Sequence, residues 1–297
     1  MKRIFKDKKK LMLLSIFFVV LVAGCTNYID PETGRVATES VISSTMTWGA
    51  AFNEGWFTGI FVWPVAQLIN IIGNKVDAGV AIIVVTFLIN LVIGVFSIKS
   101  QVASQKMQML QPEMTKITQK YAGKTDERSK MMQAQEVQAL YSKHSINPFS
   151  SILIMIVQLP VILAVYQAVM RAEAVINGSF MGIDLTLTPV NGMKEGQIAY
   201  FVIFALMVIA QFVSMKFPMW LAAWKKKKSG VKTKEYANDK PAGGMMGNSM
   251  NMMTYVSVGM IAFISLSWPL GMSFYWLISS LARIIQNVVI NTFFIKD

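Results

Sequence analysis

Near the C-terminus, Tyr275, Ser279, Arg283 and Gln286 are spaced four, four and three residues apart within an apolar run. At one hundred degrees per residue they occupy about eighty degrees of one helix face. A permanent cation at mid-bilayer costs about 2.5–3.5 kcal/mol on insertion scales, so Arg283 should face a bundle interior or a wet cavity. It sits about twelve residues from either end of the run, which at 1.5 Å per residue leaves little room to reach the headgroups. Thr86 and Asn90 form a similar stripe on an earlier run, Gln158 precedes Pro160 on another, and Gln211 lies on a third. The chemistry these residues offer is electrostatic: a cation and polar partners that stabilise an anion where water is scarce. No Asp or Glu lies in the apolar runs 78–97, 148–170, 197–215, 252–268 and 271–294, so an acidic group brought in by a partner is the natural complement.

Covalent chemistry has no visible vehicle. The chain has one cysteine, Cys25, and one histidine, His144, too few for a Cys/His zinc site or an intrachain disulfide. It contains no GxxxxGK[ST], HExxH or GxSxG pattern, so neither an enzyme, a metal nor a cofactor is expected.

The elements that must position the stripe are membrane spans. Of 297 residues, 54% are hydrophobic and 15% charged, with a mean hydropathy of +0.48; this exceeds the usual soluble range. The expectation is an all-α membrane protein, a five-transmembrane-helix bundle crossing at residues 76–98, 148–171, 197–216, 251–268 and 270–294. The net charge of +12 lies mostly between these runs and at the N-terminus, so it reads as a topology signal and no DNA partner is expected. Residues 99–144 and 216–248 carry eight Lys/Arg each, whereas 26–79 and 171–195 carry two each. The positive-inside rule therefore places the first pair and the C-terminus in the cytoplasm and the mature N-terminus outside a cell (plasma) membrane.

The start reads as a lipoprotein-type signal peptide over residues 1–24: a basic MKRIFKDKKK, an apolar stretch, then Val22-Ala23-Gly24 before Cys25. Cys25 would carry a diacylglycerol anchor outside, with an uncleaved anchor as the alternative. The outer segment 25–75 contains NEGWFTGIFVWPVAQLINIIGN, whose aromatic residues, Gly55, Gly59 and Pro64 suit an amphipathic helix on the outer surface. Making it a sixth span would put both basic segments outside. In residues 99–147, Met107, Leu110, Met114, Ile117 and Tyr121 recur at helical steps before a break at 122–125 and a second amphipathic stretch. That pattern predicts a cytoplasmic helical hairpin whose stripe serves mainly as its own seam, with client docking as the further reading. Residues 172–196 form an outer loop. The basic loop 217–250 holds Lys225, Lys226, Lys227 and Lys228, which serve equally well as a topology anchor or as a contact for ribosomal RNA, clients or anionic lipid.

Three passages, INPFSSILIMIVQLPVILAVYQAV (146–169), SIKSQ…MLQPEMTKITQKY (97–121) and WPLGMSFYWLISSLARIIQNVVI (268–290), resemble the YidC family of membrane protein insertases in its Gram-positive, lipoprotein-type form. With FVWPVAQLIN (61–70), the likeness covers roughly residues 52–294. It implies a hydrophilic groove open to cytosol and lipid and closed to the outside, through which client proteins pass into the lipid bilayer. The implied partners are nascent membrane proteins, the bilayer, the general secretion channel and the ribosome. One departure concerns the groove cation. The family pattern on the first span is like VTLLIR; here VTFLIN puts Asn90 at that place, and Arg283 stands on the last span where the family has a small polar residue. The expected groove residues are therefore Arg283, Asn90, Thr86, Gln158, Gln211, Ser279 and Gln286. A small-solute transporter or anion channel using the same arginine, and a non-catalytic assembly factor for a translocase, are the alternatives. No inverted repeat supports the transporter.

Overall fold

The computed structural model describes residues 38–147, 149–228 and 249–295, so the expected signal peptide, Cys25 and most of the basic segment 217–250 lie outside the described residues. The fold is helical: α1 (Trp48–Glu54), α2 (Trp63–Gly73), α3 (Ala78–Met109), α4 (Gln111–Lys120), α5 (Glu127–Lys143), α6 (Phe149–Arg171), α7 (Glu173–Ile176), α8 (Pro189–Lys194), α9 (Ile198–Lys228), α10 (Ser249–Leu266) and α11 (Leu270–Phe293). No strand longer than an isolated bridge occurs among the described residues. Segments Ala78–Met107, Ile198–Leu221 and Leu270–Phe293 are long and apolar enough to cross a membrane; Thr58–Gly73, Ile156–Arg171 and Thr254–Leu266 are shorter apolar helical stretches. The protein is thus a multi-pass, all-helical membrane protein.

The chain divides into two compact units, the first holding residues up to 89 with 155–204 and 265–278, the second holding 90–154, 205–264 and 279–297. Five helices contribute a portion to each.

In the first unit, residues 40–46 run as a strap in which the carbonyls of Ser40, Ile42, Ser43 and Met46 all accept hydrogen bonds. Arg171 Nε donates to the Ser40 carbonyl (2.6 Å), and Asn70 and Gln67 side chains donate to the carbonyls of Ile42 (2.8 Å) and Ser43 (2.8 Å). Trp63 Nε1 donates to the Met46 carbonyl (2.9 Å). Ile42 also pairs with the end of α6, its amide donating to the Arg171 carbonyl (2.7 Å) while its own carbonyl accepts from Glu173 (3.2 Å). A buried carbonyl without a partner is expensive, so this ladder explains why an extended peptide with a fully buried Ile42 is held here. Arg171 is itself buried, with a 1% exposed side chain paired to Glu54. Trp48 and Phe52 on α1, Trp56, Ile60 and Phe61 in the segment between α1 and α2, and Leu68 and Ile71 on α2 are exposed. Asp77 starts α3 by accepting from the amides of Gly79 and Val80. Phe180 packs on Gly79, where an added Cβ would lie 2.3 Å from the ring.

In the second unit, α4 and α5 share an apolar seam of Leu110, Leu140, Tyr141 and Ile146 with Met107, Met114, Ile117 and Val137 packed against it. The turn between them uses Gly123 at φ 81°, a left-handed conformation that favours glycine. Asp126 then caps α5 by accepting from the Ser129 amide (2.8 Å). At the same end Tyr121 and Lys120 both donate to Glu136. Those two donors lower the Glu136 pKa, Lys120 the more strongly.

Candidate polar site in the second unit

The second unit brings five of the seven expected groove residues onto neighbouring helices. Asn90, on α3, donates its amide to Ser279 Oγ on α11 at 2.9 Å. Two turns further along the same face of α11, Gln286 Nε2 donates to the Asn90 backbone carbonyl, also at 2.9 Å. Gln211, on α9, accepts from Ser280 Oγ at 2.6 Å. Asn90, Gln211, Ser279 and Ser280 are all buried, so each hydrogen bond satisfies groups that hydrocarbon would leave unsolvated. A further link, Gln105 to Asn287 (2.7 Å), joins α3 to α11 near its end.

These contacts fix the azimuth of Arg283. On a helix wheel, Arg283 stands about forty degrees from Ser279 and about sixty from Ser280, between the residue bonded to α3 and the residue bonded to α9. Its backbone therefore faces the sector bounded by those two helices. The side chain is half-buried. A half-buried cation on the α11 face that carries Ser279, Ser280 and Gln286 can attract an anion without being sealed from one.

Thr86 and Gln158 lie in the first unit, where Thr86 is buried and Gln158 donates to the Tyr275 hydroxyl at 3.0 Å. Lys225, Lys226, Lys227 and Lys228 form the last turn of α9, and their side chains lie outside the described residues. Among the described residues no group of three or more His, Cys, Asp or Glu could hold a metal ion. Sequence reasoning missed Ser280 and Gly94. Treating the stripe on α11 as one face hid Ser280, one hundred degrees from Ser279, although a second polar serine beside the stripe was the available signal.

Comparison with known proteins places this geometry in a family. The family described as 60Kd inner membrane protein matches residues 68–297. The chain is 28% identical over 288 residues to the membrane protein insertase MisCA of Bacillus subtilis, covering 96% of this chain and 92% of that protein. It is 29% identical to the membrane protein insertase YidC 2 of Bacillus anthracis, covering 95% and 94%, and 26% identical to YidC 1 of Listeria monocytogenes, covering 98% and 85%. With the match spanning most of the chain, this multi-pass helical protein belongs to the 60Kd inner membrane protein family, that of the YidC membrane protein insertases.

Proposed function

We propose that the protein inserts client membrane proteins into the bilayer, and that Arg283 is the cation of its hydrophilic groove. The observation that carries this reading is the position of Arg283 on α11 in the sector between the Asn90 contact with α3 and the Gln211 contact with α9. A carboxylate in hydrocarbon costs about 2.5–3.5 kcal/mol on insertion scales. A cation about 4 Å away returns about 4 kcal/mol at an effective dielectric of about 20. The two are comparable, so one guanidinium can offset the entry of one acidic client residue. Thr86 and Gln158 belong to the first unit, and this role rests on the five residues that the second unit assembles.

Around that site we propose five spans, with α4 and α5 as a cytoplasmic hairpin and α1 and α2 lying on the outer leaflet. The exposed Trp48 and Phe52 of α1 and Trp56 and Phe61 between α1 and α2 support the last assignment. Cys25 is proposed to carry a lipid, which mass spectrometry of the mature N-terminus reads directly. Lys225 to Lys228 are proposed to contact clients, ribosomal RNA or anionic lipid, and the secretion channel is a proposed partner. No nucleotide is needed, because the groove lowers a solvation barrier and breaks no bond.

The test is insertion of a single-span client into proteoliposomes containing the purified protein. Arg283→Ala should reduce insertion of a client with an acidic outer tail by at least about tenfold, equivalent to about 1.4 kcal/mol, and Arg283→Lys should retain most of it. Asn90→Arg combined with Arg283→Ser, which moves the cation to the first span, should restore activity. Normal insertion of every client by Arg283→Ala would remove the groove role. Solute flux that vanished in the same variant would favour the transporter reading.

A further inference from the structure

Asn90 is held twice by α11, and the second bond depends on a residue with no side chain. In an α-helix the carbonyl of residue 90 accepts from the amide of residue 94, which leaves one lone pair for another donor. Gln286 takes it at 2.9 Å. It can do so because residue 94 is glycine: an added Cβ would lie 2.6 Å from Gln286 Nε2 and 3.2 Å from Gln286 Cδ. The nearest clash is with the end of a flexible side chain, so a methyl group there would swing the glutamine aside and leave the helix backbones in place.

Asn90 donates to Ser279 and its carbonyl accepts from Gln286, four residues before and three residues after Arg283 on the same stripe. Gln105 also bonds Asn287 (2.7 Å), so α11 stays docked on α3 without Gln286. What the Gln286 bond adds is local: with Ser279 it ties the stripe that carries Arg283 to residue 90 itself, on both sides of the cation.

We propose that Gly94 is a positioning residue for the groove cation: by admitting Gln286 to the Asn90 carbonyl it holds the polar stripe around Arg283 in place for acidic client segments. This inference rests on the groove role proposed for Arg283. Its consequence is selectivity, since a loosened stripe keeps the charge but spreads its position.

The experiment compares two clients in proteoliposomes, identical except for an acidic or a neutral outer tail. Gly94→Ala should lower insertion of the acidic client by about three- to tenfold, the range that helix–helix hydrogen bonds span in membranes. It should leave the neutral client within about twofold by the same scale. Gln286→Ala should lower insertion of the acidic client to a similar degree without any overpacking. The double variant Gly94→Ala/Gln286→Ala should fall no further than Gln286→Ala alone, because the methyl group then meets no amide. Equal loss for both clients, additive losses in the double variant, or no loss in either single variant would overturn the inference. If Arg283→Ala is selective while Gly94→Ala and Gln286→Ala are not, the positioning role fails and the groove cation stands. If Arg283→Ala shows no selectivity, both fail.

Discussion

Arg171 was legible as one of two cations in an outer segment, and nothing in its neighbourhood announces that it is buried. Its partners, Ser40 and Glu54, lie 131 and 117 residues away in sequence, so no local pattern could have revealed them. Glu173 beside it has the same character. Its carboxylate accepts from the Ser44 amide (2.8 Å) and the Ser44 hydroxyl (3.0 Å), and these bonds, the amide's foremost, lower its pKa below the ordinary 4.5. A depressed carboxylate stabilises the fold above its unfolded pKa and loses that contribution as pH falls through its folded value. The native protein in detergent should therefore melt at a higher temperature than Glu173→Gln at neutral pH, with the gap closing as pH drops below the usual glutamate range. A gap that did not change with pH would show that the Ser44 bonds do not depend on the charge. The residues proposed for the groove differ from Arg171 in this respect. Arg283 and Asn90 were readable in advance because a polar group inside an apolar run is conspicuous wherever its partner lies.

Elements were legible to the extent that their stability is local. The seam between α4 and α5 uses Met107, Leu110, Met114 and Ile117, whose three- and four-residue spacing is visible in the sequence. The break at Gly123 and the cap at Asp126 are also short-range signals. The strap over residues 40–46 carries no such signal. What holds it is a set of backbone carbonyls, and every residue has one, so only the distant donors Asn70, Gln67, Trp63 and Arg171 reveal its place. The polar stripe on α11 was visible, but its division of labour was not: Ser279 and Gln286 bond α3, Ser280 bonds α9, and Arg283 stands between them. Gly94 gave no warning either, since a glycine in an apolar helix reads as a small packing residue until a donor is seen above the carbonyl it uncovers.

For the whole molecule, composition identified a membrane protein and loop charge supplied an orientation, because lysine and arginine resist translocation wherever the fold puts them. The orientation proposed here can be read in a Cys25→Ala background with a membrane-impermeant thiol reagent. Lys194→Cys should react in intact cells, and Lys130→Cys only after permeabilisation; the opposite pattern would invert every span. The central claim is that the Arg283 charge, held in the sector between α3 and α9, selects acidic segments for entry. Its most direct test is charge reversal in proteoliposomes without a membrane potential, using clients whose outer tails differ only in carrying aspartates or lysines. The native protein should insert the aspartate client better and Arg283→Glu should insert the lysine client better; an unchanged order of preference in Arg283→Glu would contradict the account.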